Sequence, residues 1–413
     1  MFDFQFGERV KLRRVAKGWS LDNLATEMGG LVSRQMLHKY EQGTAKPSPS
    51  VLIQLAKTLG VPTSHLTQSA PSHVKFVAYR KSSGLKKAQT ERLEAQIEIE
   101  VQDRVRLQNL LGQEFHLPQL SPVASVEEAE EAARELREQW RLGVDAICSL
   151  STVLEDHGFH VVEVEAPEEF NGLSALVQDG ESATVAAAVI TRRQLPCDRW
   201  RFTGAHELGH NVLKFTSESR AIDQEAAAFR FGAAFLAPRE LVENEVGAKR
   251  NSVSLAELLE LKPRWGMSMG AIAYRLKDLG IISKETSDAL WEQIIARGWR
   301  KVEPNPLDPE KPSWFKRSTL RALSEGLISR DEAQRLLGAE WDESLAPPLS
   351  QQSKRIRALR RLPREERRRI MAQRSLEAGD QFSDDAEFHK WQRVFDPIEL
   401  AADLTSSRKE PAK

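Results

Sequence analysis

Two histidines four residues apart, with a glutamate directly after the first, restrict what this 413-residue chain can fold into more than any other stretch: His206-Glu207-Leu208-Gly209-His210. Residues i and i+4 of an α-helix share a face one turn apart, so as a helix this segment directs two imidazole rings at one point, with Glu207 displaced to the side. A metal ion suits that point, and Glu207 suits a base acting on a metal-activated water better than a third ligand. Zinc asks for a third protein ligand and an open position. Residues 221–236, rich in alanine, read as a second helix whose small side chains permit close packing. That packing would let Glu225 reach the histidines, with Asp223 or Glu218 as alternatives. Chance alone gives such a motif on the order of once in a hundred chains of this length.

A chain of this length with 40% apolar residues supports two or three cores. Its net charge of -1 conceals a charged fraction of 29%, so charge has to be read locally. Cys148 and Cys197 are the only cysteines, which excludes a disulfide framework and a cysteine-based metal site and fits a reducing compartment. The N-terminus lacks a basic region followed by an apolar core, and no apolar run approaches a bilayer span. A soluble, cytoplasmic protein without a membrane partner is expected.

Residues 7–66 carry short amphipathic patterns. Val10, Leu12, Val15 and Trp19 form a first stripe. Ser20 caps a second helix through Leu24 and Met28, and Gly29-Gly30 breaks it. Ser33 caps a third over Arg34–Glu41, and Ser50 opens a fourth through Leu52, Leu55, Ala56 and Leu59. Leu21, Leu24, Leu37, Ile53 and Leu55 are assigned to the core. Short helices with a tight break between the second and third fit a helix-turn-helix. The stretches Trp19–Ala25, Val32–Gly43 and Pro49–Val61 resemble the phage-repressor (XRE-type) helix-turn-helix domain. That resemblance implies double-stranded operator DNA as partner. Arg34, Gln35, His38 and Lys39 would enter the major groove, and the amides near Ser33 would hold a phosphate. Arg9, Lys11, Arg13, Arg14 and Lys17 add a basic surface suited to the phosphate backbone. A homodimer is expected, because paired half-sites mirror a two-fold protein.

Residues 69–124 read as a linker with a basic cluster (Lys75, Arg80, Lys81, Lys86, Lys87), then one long helix from Thr90 to about Leu111 serving as spacer or dimer contact. A helix from Ser125 to Trp140 follows, then another from Asp145 to His157. The period then switches to two: Phe159–Val164, Leu173–Val177 after an Asn171-Gly172 turn, and Thr184–Ile190 are strands. Val185–Ile190 is expected at a sheet edge beside the metal helix, pairing with an extended substrate. His157 and His160 read as structural rather than ligating.

Residues 199–210, 223–238, 265–280 and 298–300 resemble the ImmA/IrrE family of metallopeptidases, the resemblance extending over roughly 125–335. It implies zinc held by His206, His210 and Glu225 in a gluzincin-type site with Glu207 as base. Ala227 stands where the family often has Asn, and Gly204 where a bulkier residue is common. Tyr274 and Arg275 are the oxyanion candidates. The resulting expectation is a mainly α (α+β) protein. It comprises an N-terminal helix-turn-helix bundle (1–68), a linker with a long helix (69–124), a zincin-like core with a small β-sheet (125–250), a helical C-terminal part (251–340), and a basic then acidic tail (341–413) in which Lys354, Arg355 and Arg367–Arg369 stand out. Two functions fit. One is a DNA-binding regulator with a zinc endopeptidase that cuts a repressor-like partner or itself on a signal. The other is a non-proteolytic regulator or antitoxin whose peptidase-like domain senses a ligand or binds a toxin.

Overall fold

The computed structural model describes residues 2–67, 72–77, 86–216 and 222–342. Glu218, Arg80–Gly84 and the charged tail from residue 343 onward lie outside the described residues. The described chain divides into two compact units: residues 2–67 with 320–342, and residues 72–319.

In the first unit α1 (Phe2–Ala16), α2 (Leu21–Glu27), α3 (Arg34–Glu41), α4 (Pro49–Leu59) and α5 (Thr63–Thr67) surround a core in which Val10, Leu24, Leu37, Leu55 and Leu66 are fully buried. Ser20 and Asn23 form a reciprocal capping box at the start of α2, and Gly29 and Gly30 end it in the left-handed region (φ 67° and 72°). Ser48 rather than Ser50 caps α4, with Pro49 in its first turn. Ile53, assigned above to the core, is 61% exposed. The buried stripe of α4 is Leu52, Leu55, Ala56 and Leu59, and Ile53 lies about 100° around the helix from Leu52. Two cations of the basic surface are used internally: Arg14 clasps Glu41 at 2.7 and 2.8 Å, and Arg9 donates to the Leu66 carbonyl at 3.3 Å. The remainder of α15 (Trp314–Ser324) and all of α16 (Arg330–Leu337) join this unit, where Glu332 lies 3.4 Å from His65.

The second unit is built on a four-stranded sheet. Its strands are β1 (Ser72–Phe76), β2 (Phe159–Val164), β3 (Gly172–Asp179) and β4 (Thr184–Arg192), in the order β1-β3-β4-β2, with β2 parallel to β4 and the other pairs antiparallel. β4 is therefore internal, paired on both sides, which corrects its expected place at the edge: its backbone groups are already taken by β2 and β3. Its central residues, Ala186–Ile190, are buried on both faces, and a strand enclosed in that way has no free edge.

One face of the sheet packs on α6 (Lys87–Leu110) through Leu93, Ile97, Val101 and Val105. The long helix expected as a spacer is thus a layer of this unit, because its i, i+4, i+8 stripe covers the sheet. The other face, through Phe159, Val161, Ala187 and Val189, merges with the core under α7 (Glu128–Gln139), α9 (Cys197–Val212) and α10 (Gln224–Leu236). α8 (Leu150–Asp156) begins at its Ser149 cap, later than the Asp145 expected, because the Ile147 and Cys148 carbonyls accept from the buried Arg201 guanidinium instead of entering a helix. α11 (Arg239–Val246), α12 (Leu255–Trp265), α13 (Met269–Asp278) and α14 (Lys284–Ala296) complete the unit.

A strap after α14 is fastened by carboxylates. Glu303 accepts from the Met269 N–H and the Lys262 ammonium, both at 2.9 Å, and so caps α13. Glu310 accepts from the Leu150 and Ser151 N–H groups at 2.9 and 3.0 Å and from Arg201 at 2.7 Å, capping α8. Burial opposes the charge on Glu310, yet these bonds outweigh it and hold its carboxyl below the usual range.

Candidate metal centre

α9 carries both histidines, and two side-chain hydrogen bonds and three glycine contacts fix it in place. Asn211 donates to the Ala188 carbonyl at 3.0 Å, tying the helix to β4. Trp200 donates to Glu163 at 3.1 Å. Glycines at three contact points admit neighbours closely. A Cβ on Gly204 would lie 3.1 Å from Leu150, one on Gly209 3.0 Å from Phe231, and one on Gly232 3.0 Å from the His206 backbone nitrogen. The last two bring α10 against α9, as the small-residue pattern of 226–234 leads one to expect.

That proximity brings the cluster together. His206 Nε2 and His210 Nε2 are 3.1 Å apart, and the two carboxylate oxygens of Glu225 lie 3.5 Å from one ring nitrogen each. Four ligands placed tetrahedrally at about 2.0–2.1 Å from a zinc ion are roughly 3.3–3.5 Å apart, so these separations, each histidine facing a different oxygen of Glu225, are of the size a zinc site needs. The two histidines are nearly buried and Glu225 is one-third exposed, which leaves one side accessible. Among the described residues, no other group of three His, Cys, Asp or Glu side chains is arranged to hold a metal. Asp223, the alternative ligand, is engaged as the cap of α10, accepting from the Glu225 and Ala226 N–H groups at 3.1 Å each. Ala227 is fully buried against the core.

Glu207 is buried one residue along α9, and a Cβ on Gly172 would lie 3.1 Å from its Cγ and 2.5 Å from Thr203. Only a residue without a side chain lets the start of β3 approach Glu207 so closely, which gives the Asn171-Gly172 turn a purpose beyond turning. An aromatic wall escaped the reading from sequence. The Phe229 ring stands 4.4 Å from that of His206 and 5.6 Å from that of Phe202. The available signal was spacing: Phe202 precedes His206 by one turn, and Phe229 follows Glu225 by one turn.

The oxyanion candidates, Tyr274 and Arg275, sit side by side on α13. Arg275 is fully buried, paired with Glu130 at 2.5 and 2.7 Å, and donates to the Ala237 carbonyl at 3.0 Å, so it locks α13 to α7 and to the end of α10. Tyr274 is 53% exposed and lines a cavity whose walls include none of His206, Glu207, His210 or Glu225. His157 stacks on Trp140, and His160 bonds Gln108 at 2.8 Å; both are held by packing.

In the first unit the Ser33 hydroxyl accepts from the Met36 N–H at 3.3 Å, capping α3. Arg34, Gln35, His38 and Lys39 are exposed on the face away from the buried Leu37 and Tyr40. Arg34 lies 3.6 Å from Asp22 with both side chains about two-thirds exposed, a pairing weak enough to give way to a phosphate or base.

Residues 10–66 match the family model for a helix-turn-helix, and residues 156–277 that for an IrrE N-terminal-like domain. The chain is 39% identical over 71 residues to the SPbeta prophage-derived uncharacterized HTH-type transcriptional regulator YonR of Bacillus subtilis (strain 168), covering 17% of this chain and 62% of that protein. It is 35% identical over 69 residues to an HTH-type transcriptional regulator of Sinorhizobium medicae (strain WSM419), covering 17% and 48%. The chain thus spans less than two thirds of the length of either relative. No helix among the described residues is long and apolar enough to cross a membrane. This chain accordingly joins an XRE-type helix-turn-helix domain to a peptidase-family domain of the IrrE/ImmA kind.

Proposed function

We propose that this protein is a DNA-binding transcriptional regulator, cytoplasmic and dimeric on its operator. Its second unit acts as a zinc-dependent endopeptidase on a repressor-like protein, or on the chain itself, when a signal arrives. The observation that carries the enzymatic half is the grouping of His206, His210 and Glu225, with ligand-atom contacts of 3.1–3.5 Å, beside the buried Glu207. Zinc held by those three side chains would polarise a peptide carbonyl and make a water acidic enough to ionise near neutral pH. The chain's own part is proton handling and positioning. Glu207 removes the proton of the attacking water and passes it to the departing amine. Gly172 keeps the base against the start of β3. Phe202 and Phe229 line one side of the cluster with apolar surface and so limit competing water.

The DNA-binding half is supported by the exposure of Arg34, Gln35, His38 and Lys39 on one capped helix, the residue types that pair with guanine, adenine and phosphate. The experiment is incubation of the zinc-loaded chain with helix-turn-helix repressors encoded beside it, wild type against Glu207→Gln. Cleavage by the wild type alone, with zinc retained in both, is the expected outcome, and cleavage by Glu207→Gln would remove the assignment. A second reading, ligand sensing by the peptidase-like unit, is favoured by the cavity that Tyr274 lines.

A further inference from the structure

We propose that the cavity at the start of α9 is a binding site for a small organic anion bearing a flat ring. This inference stands on the cavity itself and does not depend on proteolysis. The cavity has a volume of ≈ 750 Å³, within the roughly 300–1,000 Å³ typical of small-molecule sites, and lies between the first turn of α9, α13, α14 and the strap.

Its walls are held open by buried bonds. Lys262, 1% exposed, bridges Asp198 on α9 at 2.6 Å and Glu303 on the strap at 2.9 Å. Burial works against its charge, but the two carboxylates outweigh that and hold the ammonium above its usual range. The same Glu303 is bound by α13, so the strap cannot fall into the space without leaving a buried lysine and a helix terminus unsatisfied.

The chemistry of the walls selects the ligand. Of the three exposed aromatic side chains among the described residues, Phe229, Tyr274 and Trp291, the last two line this cavity. Trp291 lies against Gly270, where an added Cβ would be 2.5 Å from its ring, so the indole is braced by α13 while 43% of the residue stays exposed. A braced, half-exposed indole is a stacking surface for a planar ring. Lys262 with its two carboxylates carries one net negative charge; counting the other charged lining residues, Arg199, Lys277, Arg300 and Lys301 against Asp288, the walls keep two more positive charges than negative, an excess that favours an anion. The Lys277 ammonium is 4.1 Å from the Tyr274 ring centroid, which places positive charge beside aromatic surface, as a ring with an attached phosphate or carboxylate requires.

Calorimetric titration of the full chain tests the site with adenosine monophosphate and indole-3-acetate, one probe for each source of the anion. Adenosine and inorganic phosphate serve as ring-only and anion-only controls. Saturable binding of one of the two ring-bearing anions at one per chain is expected, at least tenfold tighter than either control and weakened at least tenfold by both Trp291→Ala and Lys277→Gln. Circular dichroism of each variant, unchanged from wild type, separates loss of the site from loss of the fold. Absence of binding by both ring-bearing anions, or equal binding in a folded Trp291→Ala or Lys277→Gln chain, would overturn the proposal.

Discussion

Gly232 decides whether Glu225 can reach the histidines. A methyl group there meets the His206 backbone 3.0 Å away, so Gly232→Ala forces α9 and α10 apart or strains both. A destabilisation of about 1–3 kcal/mol is expected from such overpacking, together with a weaker zinc affinity, read by thermal melts and competition with a chelator. An unchanged affinity would mean that the ligand set does not depend on this crossing. His160 gives a pH signature. Burial, then the nearby Arg104 charge, lowers its imidazole from 6.5 to about 3, so the folded chain keeps it neutral where the unfolded chain takes up a proton. Stability from this group is complete above pH 6.5 and is lost as pH falls from 6.5 towards 3, by at most about 1.4 kcal/mol per unit. Urea unfolding at pH 5 and pH 7 should show that loss in the wild type and a smaller one in His160→Gln. The shared face of His206 and His210 is legible because helical spacing is a local property, whereas Glu225 meets them only through the packing of α10 on α9. Ile53 is apolar yet exposed because its angle around α4 lies outside the stripe of Leu52, Leu55 and Leu59, and angular position rather than residue type decides burial.

At the scale of elements, α13 separates a structural arginine from an exposed tyrosine on adjacent positions. Arg275→Met leaves the Ala237 carbonyl without its donor and the Glu130 carboxylate with Arg230 alone, 3.4 Å away, so a loss of about 3 kcal/mol, the low end for a broken buried pair, is expected as a fall in Tm. Tyr274→Phe should leave Tm and any cleavage rate unchanged; a drop in the rate alone would return Tyr274 to the reacting atoms. For α3, Arg34→Ala and Lys39→Ala should each weaken operator binding by about 1–3 kcal/mol if they contact bases. If they contact only phosphate, the salt dependence should flatten instead by about one unit of slope per contact. Equal affinity for DNA in both variants would dissociate α3 from recognition. The helices and three strands could be read from period and caps, whereas β1 could not. Its five residues alternate His73 and Lys75 with Val74 and Phe76, and they acquire a strand only through pairing with β3. The position of β4 inside the sheet was equally hidden, since strand order is set by long-range pairing and not by composition.

Over the whole molecule, the features beyond the reach of sequence are those in which distant residues satisfy one another. Glu303 and Glu310 cap helices that begin 34 and 160 residues earlier in the chain, and no local pattern marks them for that role. The division of labour is testable at this scale. His210→Ala should lose zinc and keep operator affinity, and Arg34→Ala should do the reverse. The most direct measurement is the zinc content of the purified full chain by elemental analysis, wild type beside Glu207→Gln, His210→Ala and Glu225→Ala, each checked by circular dichroism. One zinc per chain in the wild type and in Glu207→Gln, with loss in both folded ligand variants, is the predicted result. A wild-type chain that takes up no zinc, or one that keeps it after His210→Ala and Glu225→Ala, would contradict the assignment of the metal centre.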